Sequence, residues 1–125
     1  MKALIVREHG GLDALLWEEL PTPEPGPMEV RVRVRACAVN HLDLWVRKGV
    51  PGARFPLPLI PGNDVSGEVD AVGPGVEDLE VGTPVVVHPL PCPAFVGGLA
   101  SLGRLDPKHL HAPMPMAESM LGFAQ

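Results

Sequence analysis

Proline and glycine interrupt this chain so often that long helices cannot form in it. Sixteen prolines and fourteen glycines are spread over 125 residues without a regular period. Proline lacks the backbone N–H that a helix needs and glycine favours turns, so this density breaks long helices. The sequence therefore predicts a mainly β domain built from short strands.

The clearest strand lies where apolar and basic residues alternate. Four apolar positions alternate with three arginines: Val30, Val32, Val34 and Ala36 against Arg31, Arg33 and Arg35. A period of two places the apolar residues on one face, toward a core, and the arginines on the other, which we expect to lie in water. Cys37 follows this strand, and we expect it to be an inert, packed thiol.

Weaker patterns predict the remaining elements. Further strands are predicted over residues 1–6, 14–20, 65–72 and 83–88. Leu42, Trp45 and Val46 recur at helical spacing, which predicts a short helix over 41–48 with Trp45 in the core. Asn40 directly precedes that helix and is typical of an N-cap.

Charge and hydropathy exclude two classes of function. The net charge is −5 and the basic residues are scattered, so the chain has no basic surface for nucleic acid. No apolar run approaches the ~18 residues of a membrane span, and the N-terminus has no signal-peptide core. Two cysteines do not suggest a disulfide scaffold. We therefore expect a cytoplasmic protein without a membrane partner.

The composition changes after residue 88. Residues 89–125 carry only four charged side chains, and three methionines crowd their end. This pattern predicts a domain over 1–88 followed by a divergent or truncated tail over 89–125. A second interpretation is that residues 106–113 form a returning strand that closes the barrel described below.

Several ordered motifs resemble the N-terminal domain of the medium-chain dehydrogenase/reductase superfamily, the group of zinc-type alcohol dehydrogenases and quinone oxidoreductases. The motifs are Pro25-Gly26-Pro27-x-Glu29-Val30, Ala38-Val39-Asn40-His41-x-Asp43, Pro58-x-x-Pro61-Gly62-x-Asp64-x-x-Gly67 and Val72-Gly73-x-Gly75-Val76. The resemblance implies a mainly β, GroES-like, partly open β-barrel with one or two short helices and no Rossmann domain.

The metal ligands of the zinc enzymes are replaced in this chain. Asn40 stands where those enzymes have a cysteine, and Asn63 and Asp64 stand where they have a His-Glu pair. A neutral amide is a poor zinc ligand compared with thiolate or imidazole, so no catalytic zinc is expected. A substitute site is conceivable, although we expect ordinary surface histidines; its ligands would be His88, Cys92, His109 and His111.

The resemblance also implies roles for the motif residues. Asn40, His41 and Leu42 would contact the nicotinamide cofactor, and Asn40 would donate a hydrogen bond to the substrate oxygen. Asn40, Asp43 and Asp64 would form the catalytic site, in which the two aspartates support the amide. The residues alone leave simpler roles open: a helix cap for Asn40, an exposed position for His41, and backbone acceptors for both aspartates.

The implied reaction is NAD(P)H-dependent reduction of a small carbonyl compound or a quinone, or its reverse. A dinucleotide is gripped by a glycine-rich turn between a strand and a helix, and no G-x-G-x-x-G occurs in these 125 residues. We therefore expect a catalytic domain without its nucleotide-binding half, inactive alone. The alternative is a non-enzymatic binding or assembly module, either a homo-oligomer such as a dimer or the partner of a separate Rossmann chain.

Overall fold

The computed structural model describes residues 1–87 and, beyond them, residues 102–105 and 110–111. The described elements are β1 (Lys2–Val6), a 3-10 helix (Leu12–Ala14), β2 (Leu15–Glu19), β3 (Val30–Ala38), α1 (His41–Lys48), β4 (Asp64–Val72), β5 (Pro84–Val87), β6 (Leu102–Leu105) and β7 (Leu110–His111). The mainly β architecture with one short α-helix agrees with the prediction, and so do the bounds of α1.

A five-stranded antiparallel sheet carries most of the fold, with the strand order β6-β3-β4-β5-β7. Its longest pair joins β3 to β4, from Val30 opposite Val72 to Ala38 opposite Asp64. The apolar side chains of β3, β4 and β5 form one buried cluster: Val30, Val32, Val65, Val69, Val85 and Val87. Gly67 allows the close approach of β4 to β3, since a Cβ there would lie 2.3 Å from the carbonyl oxygen of Arg33.

The two edge strands of this sheet follow each other closely in the chain, which favours a curled sheet. In a flat sheet, four inter-strand steps of about 4.8 Å would place the edge strands about 19 Å apart. Leu105 ends β6 at one edge, and Leu110 begins β7 at the other. Five extended residues span at most about 18 Å. The described edges of the sheet do not pair with each other, which agrees with the predicted GroES-like, partly open barrel.

A second, smaller core lies beside the sheet. β1 pairs with β2, and a bridge of two hydrogen bonds joins Val6 to Leu59, with N···O distances of 2.8 and 2.9 Å. Val6, Val46, Phe55 and Leu59 are buried together there, so this core fixes α1 against the first strand pair.

The prediction that Trp45 lies in the core is wrong, because its side chain is in neither of the two cores. It remains 58% exposed, whereas Val46 beside it is fully buried. Leu42 packs against the second core and Trp45 does not. Helical spacing identified the helix correctly but not which of its side chains meets β1.

The arginine face of β3 agrees with the predicted solvated surface at Arg33 and Arg35, whose side chains are 54% and 62% exposed, but not at Arg31. Arg31 Nε donates to Asp70 at 2.6 Å, and both side chains are largely buried, 15% and 9% exposed. Arg33 also pairs with Asp70, and Arg35 donates to Glu68 at 2.6 Å. Antiparallel pairing places Glu68 opposite Arg33, and Asp70 lies at the register shift beside Arg31, so the face carries an ion-pair network.

The predicted alternation in β3 ends early. The register between β3 and β4 shifts between Val34 and Ala36. Such a bulge changes which side chains point inward, and Ala36 is exposed rather than buried. Separately, none of the helices in the described ranges has the length and apolar content needed to cross a membrane.

Candidate functional site

The N-terminus of α1 is closed by a reciprocal pair of hydrogen bonds. Asn40 has extended backbone angles, and its Oδ1 accepts from the Leu42 N–H at 2.9 Å. The Asp43 carboxylate accepts from the Asn40 N–H, also at 2.9 Å. This is a capping box, in which a polar N-cap and an acidic residue three positions later satisfy each other's backbone groups. The spacing Asn40-x-x-Asp43 therefore has a structural role of its own.

Asp43 also connects α1 to the segment before β4. Its second carboxylate oxygen accepts from the Gly62 N–H at 2.8 Å, and the residue is only 4% exposed. Both oxygens thus bind backbone N–H groups from segments about twenty residues apart. Gly62 has φ +100°, a conformation that favours glycine. Asp43 is placed to hold two segments together rather than to meet a ligand.

Asp64 completes the cluster from the opposite strand. It begins β4, lies opposite Ala38 at the end of β3, and its Oδ2 accepts from Asn40 Nδ2 at 3.2 Å. The amide of Asn40 is therefore held from both ends, by Leu42 through Oδ1 and by Asp64 through Nδ2. The structure brings together the three residues predicted as catalytic, with the Asn40 amide at the centre.

The two other predicted cofactor residues point to different surroundings. His41 is exposed on the first turn of α1, whereas Leu42 is half-buried and packs against the second core. A ligand at the start of α1 can reach the His41 side chain but only the edge of Leu42. The helix and the loop that follows it also border a cavity of about 270 Å³; its lining is Trp45, Lys48, Gly49, Val50 and Pro51.

A larger cavity adjoins Asp64. It has a volume of about 330 Å³ and is lined by Ala36, Cys37, Ala38, Asp64, Val65, Ser66 and Val87. These residues come from the ends of β3 and β5 and from the start of β4. Sequence reasoning identified only Asp64 among them as part of a site. The others follow from the register of β3 against β4, which a single sequence does not reveal.

Cys37 lies half-buried on the wall of this cavity. Burial raises the pKa of its thiol, and the nearby carboxylates of Asp43 and Asp64 raise it further. The thiol therefore stays protonated at neutral pH, and a protonated thiol is a poor nucleophile.

The donor atoms at the position of the replaced zinc ligands do not suit a metal ion. Asn40 Oδ1 is already an acceptor for Leu42, and Asn63 is 5% exposed with a buried Nδ2 that has no partner in the described part of the chain. Within residues 1–87, no group of three or more His, Cys, Asp or Glu side chains is arranged so that it could hold a metal ion. His88, Cys92 and His109 lie outside the described residues, as do the side-chain contacts of His111.

The start of α1 is also poorly suited to the phosphates of a dinucleotide. A helix N-terminus attracts anions through its free N–H groups. Here the Leu42 N–H is taken by Asn40, and the acidic Asp43 occupies the first turn. The residues present fit an uncharged polar group, such as a carboxamide or carbonyl, better than a phosphate.

Comparisons with known proteins identify the family. The family described as "Alcohol dehydrogenase GroES-like domain" matches residues 26–115. The chain is 40% identical over 89 residues to the synaptic vesicle membrane protein VAT-1 homolog of Rattus norvegicus, covering 70% of the chain. It is 40% identical over 85 residues to a 2-haloacrylate reductase of Burkholderia sp, covering 64% of the chain. It is 36% identical over 83 residues to the quinone oxidoreductase of Rattus norvegicus, covering 66%.

Solved structures agree with this match. A crystal structure of an NAD-dependent alcohol dehydrogenase is 42% identical with a TM-score of 0.77, over 90% of this chain and 39% of that chain. A mycobacterial protein solved with NADPH is 33% identical with a TM-score of 0.76, over 93% of this chain and 34% of that chain. The matches to the three relatives above span between 22% and 25% of those proteins.

Proposed function

Because the chain belongs to the family of alcohol dehydrogenase GroES-like domains, we propose that it supplies the substrate side of an NAD(P)-dependent oxidoreductase site. The reaction is reduction of a carbonyl compound or a quinone, or the reverse oxidation, and it uses no catalytic zinc. One observation carries the proposal, namely the Asn40 amide held between Leu42 and Asp64 at the start of α1.

Asn40 acts in this proposal as a hydrogen-bond donor to the reacting oxygen. One N–H of its Nδ2 donates to Asp64, and the second has no acceptor among the described residues. A fixed donor stabilises an oxygen that gains negative charge, and removing one such donor typically costs about 100- to 1000-fold in rate. Because Asp64 and the capping box fix the amide, it needs little rearrangement when charge develops.

Asp43 and Asp64 act as positioning residues rather than as acids or bases. Asp43 has both oxygens engaged by backbone N–H groups, so it fixes the angle between α1 and the segment at Gly62. Asp64 orients the amide of Asn40 and faces the 330 Å³ cavity. Each keeps the donor at one place relative to the space that a substrate can occupy.

The nicotinamide ring, when bound, supplies or accepts the hydride. Asn40 and His41 fit its carboxamide end, since the first turn of α1 is already capped and does not favour a phosphate. These 125 residues contain no G-x-G-x-x-G turn for the pyrophosphate. The chain by itself is therefore expected to bind nicotinamide cofactors weakly and to turn over no substrate, because one wall does not enclose two reactants.

Two measurements on the purified chain test this function. NADPH oxidation with a quinone or an aldehyde is expected to stay at background, and robust turnover would contradict the inactivity of the isolated chain. Thermal unfolding with increasing NADPH or NADH is expected to show weak stabilisation, about 1.4 kcal/mol at ten times the dissociation constant.

The variant Asn40→Ser tests the role of the Asn40 amide more directly than the two measurements on the unchanged chain. Serine keeps an N-cap acceptor but has no amide donor, so the helix should form while the response to cofactor is lost. Asp78→Asn is the control, because Asp78 is exposed and lies away from the site. Equal stabilisation of Asn40→Ser and the unchanged chain by NADPH would remove Asn40 from the proposed site.

A second candidate function is a binding or assembly module, and exposed apolar residues on α1 and just before it favour this function. Val39 and Trp45 are 62% and 58% exposed, and Trp45 borders the 270 Å³ cavity. Exposed apolar surface of this kind suits a protein partner. Light scattering distinguishes the assembly module from the oxidoreductase site. A dimer that persists on dilution and does not bind NADPH favours the assembly module. Co-purification of a separate Rossmann protein would instead indicate a divided enzyme.

A cytoplasmic location is part of the leading proposal. A soluble nicotinamide cofactor and a reduced thiol at Cys37 both suit a reducing compartment. One relative is named as a synaptic vesicle membrane protein. Fractionation of cells that produce the chain tests the location, and recovery with membranes after a high-salt wash would contradict it.

A further inference from the structure

The 330 Å³ cavity is connected to the proposed donor through a single carboxylate. Asp64 lines the cavity, and the same side chain accepts the hydrogen bond from Asn40. A ligand that occupied the cavity would therefore lie next to the Asn40 amide. The volume is about twice the ~150 Å³ of an engineered cavity that holds benzene, so a small ring or a short branched chain fits.

The lining of the cavity is mostly apolar. Ala36, Ala38, Val65 and Val87 contribute hydrocarbon, and Ser66 contributes a hydroxyl group. Among the described residues of the lining, Asp64 is the one whose side chain carries a charge at neutral pH. Such a surface binds an uncharged body well and offers no cation to an anionic group.

The charge near the cavity is not neutralised within the described residues. Among the described residues, no Lys or Arg nitrogen lies within 4 Å of the carboxylates of Asp43 or Asp64. By contrast, Asp70 and Glu68, which share β4 with Asp64, are both paired with arginines. Arg47, one turn after Asp43 in α1, is buried without an ion pair to either aspartate. The pKa of Cys37 is raised by burial first, and the carboxylates of Asp43 and Asp64 raise it further.

We propose that this cavity holds the body of the substrate and selects uncharged carbonyl compounds, namely neutral aldehydes, ketones or quinones, over carboxylates. The selection comes from repulsion between Asp64 and an anionic group inside an apolar lining. This inference depends on the proposed function, whose site it shares. The relatives' names do not decide the point, because they include both a quinone oxidoreductase and a reductase of 2-haloacrylate, which is an anion.

Two probes of nearly equal shape test the selection. Butyramide is uncharged and butyrate is an anion at neutral pH, and both can be titrated into the full chain while backbone amide NMR signals are followed. Butyramide is expected to shift the signals of residues 36–38, 64–66 and 87. Butyrate is expected to bind at least about fivefold more weakly, as for a charge pair near a surface at moderate ionic strength.

Asp64→Asn identifies the source of the discrimination. It removes the charge and keeps an oxygen that accepts from Asn40, so the preference for butyramide should shrink to about twofold or less. Glu68→Gln makes the matching change on the same strand outside the cavity, and it should leave the preference unchanged.

Equal binding of the two probes by the unchanged chain would overturn the inference. The same holds if Asp64→Asn retains the full preference, or if neither probe shifts the cavity residues. The proposed function is judged separately by the NADPH titration with Asn40→Ser, so the two can fail independently.

Discussion

At the scale of single residues, the Asp43 carboxylate connects two segments of the site. It accepts from Asn40 in the cap of α1 and from Gly62 before β4, and it is almost fully buried. A buried backbone N–H without an acceptor lowers the free energy of unfolding, because it has lost its hydrogen bonds to water and gains none in the fold. The site's geometry therefore depends on a residue that contacts no substrate in the proposed function.

Asp43→Asn is expected to lower the free energy of unfolding by about 1–3 kcal/mol. The amide keeps one acceptor oxygen and turns its NH₂ group toward a backbone donor, so one N–H is left unpaired. Urea denaturation followed by tryptophan fluorescence measures the change. Asp78→Asn should change the stability by less than about 0.5 kcal/mol, because that side chain is exposed. A loss no larger than the control would show that the two bonds contribute little.

At the scale of elements, the pairing of β3 with β4 depends on an ion-pair network as well as on its valine cluster. The hydrogen bond from Arg33, and after it the one from Arg31, holds the pKa of Asp70 below its ordinary value, against the opposing effect of burial. A carboxyl group whose pKa is lower in the folded state stabilises the fold above its unfolded pKa, about 3.9. That stabilisation is lost as the pH falls through the folded pKa.

Asp70→Asn tests this pH dependence. At about pH 7 it is expected to lower the free energy of unfolding by about 1–2 kcal/mol, because two charge-assisted contacts are lost. Below about pH 3.9, the pKa of an unfolded aspartate, the difference from the unchanged chain should shrink as the pH falls, since the stabilisation by the native carboxylate is lost on the way to its lowered pKa. Urea denaturation at a series of pH values measures both effects, with Asp78→Asn again as the control. A constant difference across this range would argue against Asp70 as the titrating group.

Local patterns predicted the elements well and their surroundings less well. The bounds of α1 followed from Asn40 and from the helical spacing of Leu42 and Val46, because caps and periodicity act over a few residues. The exposure of Trp45 did not, since it depends on where β1 and Phe55 pack. Likewise, the partner of Arg31 lies 39 residues away, beyond the reach of any local pattern.

In the candidate site, too, the surroundings of the residues were predicted less well than the residues themselves. The family resemblance assigned Asn40, Asp43 and Asp64 to one site, and the structure brings them together although 24 residues separate the first from the last. The cavity beside them was missed because Ala36 was assigned to a regular alternation and Cys37 to a packed position. The register shift after Val34 breaks that alternation, and both residues line the cavity. A bulge has no reliable signature in one sequence.

At the scale of the whole molecule, the fold depends on strands that lie far apart in the chain. β6 pairs with β3 and β7 pairs with β5, so residues after 101 add a strand to each edge of the sheet. The sequence placed both strands in a divergent tail, and it offered a returning strand over 106–113 as the alternative. The boundary at residue 88 stays a prediction, and so does the returning strand, of which the structure describes residues 110–111 paired with β5.

Hydrogen exchange measures whether these edge strands belong to the cooperative fold. We expect protection of the backbone amides that face β3 and β5, in residues 102–105 and 110–111, because these strands pair with the sheet at its two edges. Their opening free energies should approach that of Val86 in β5. The exposed loop at Gly52 provides the reference for fast exchange. Rates in residues 110–111 as fast as at Gly52 would mean that β7 is not held and that the barrel is open at that edge.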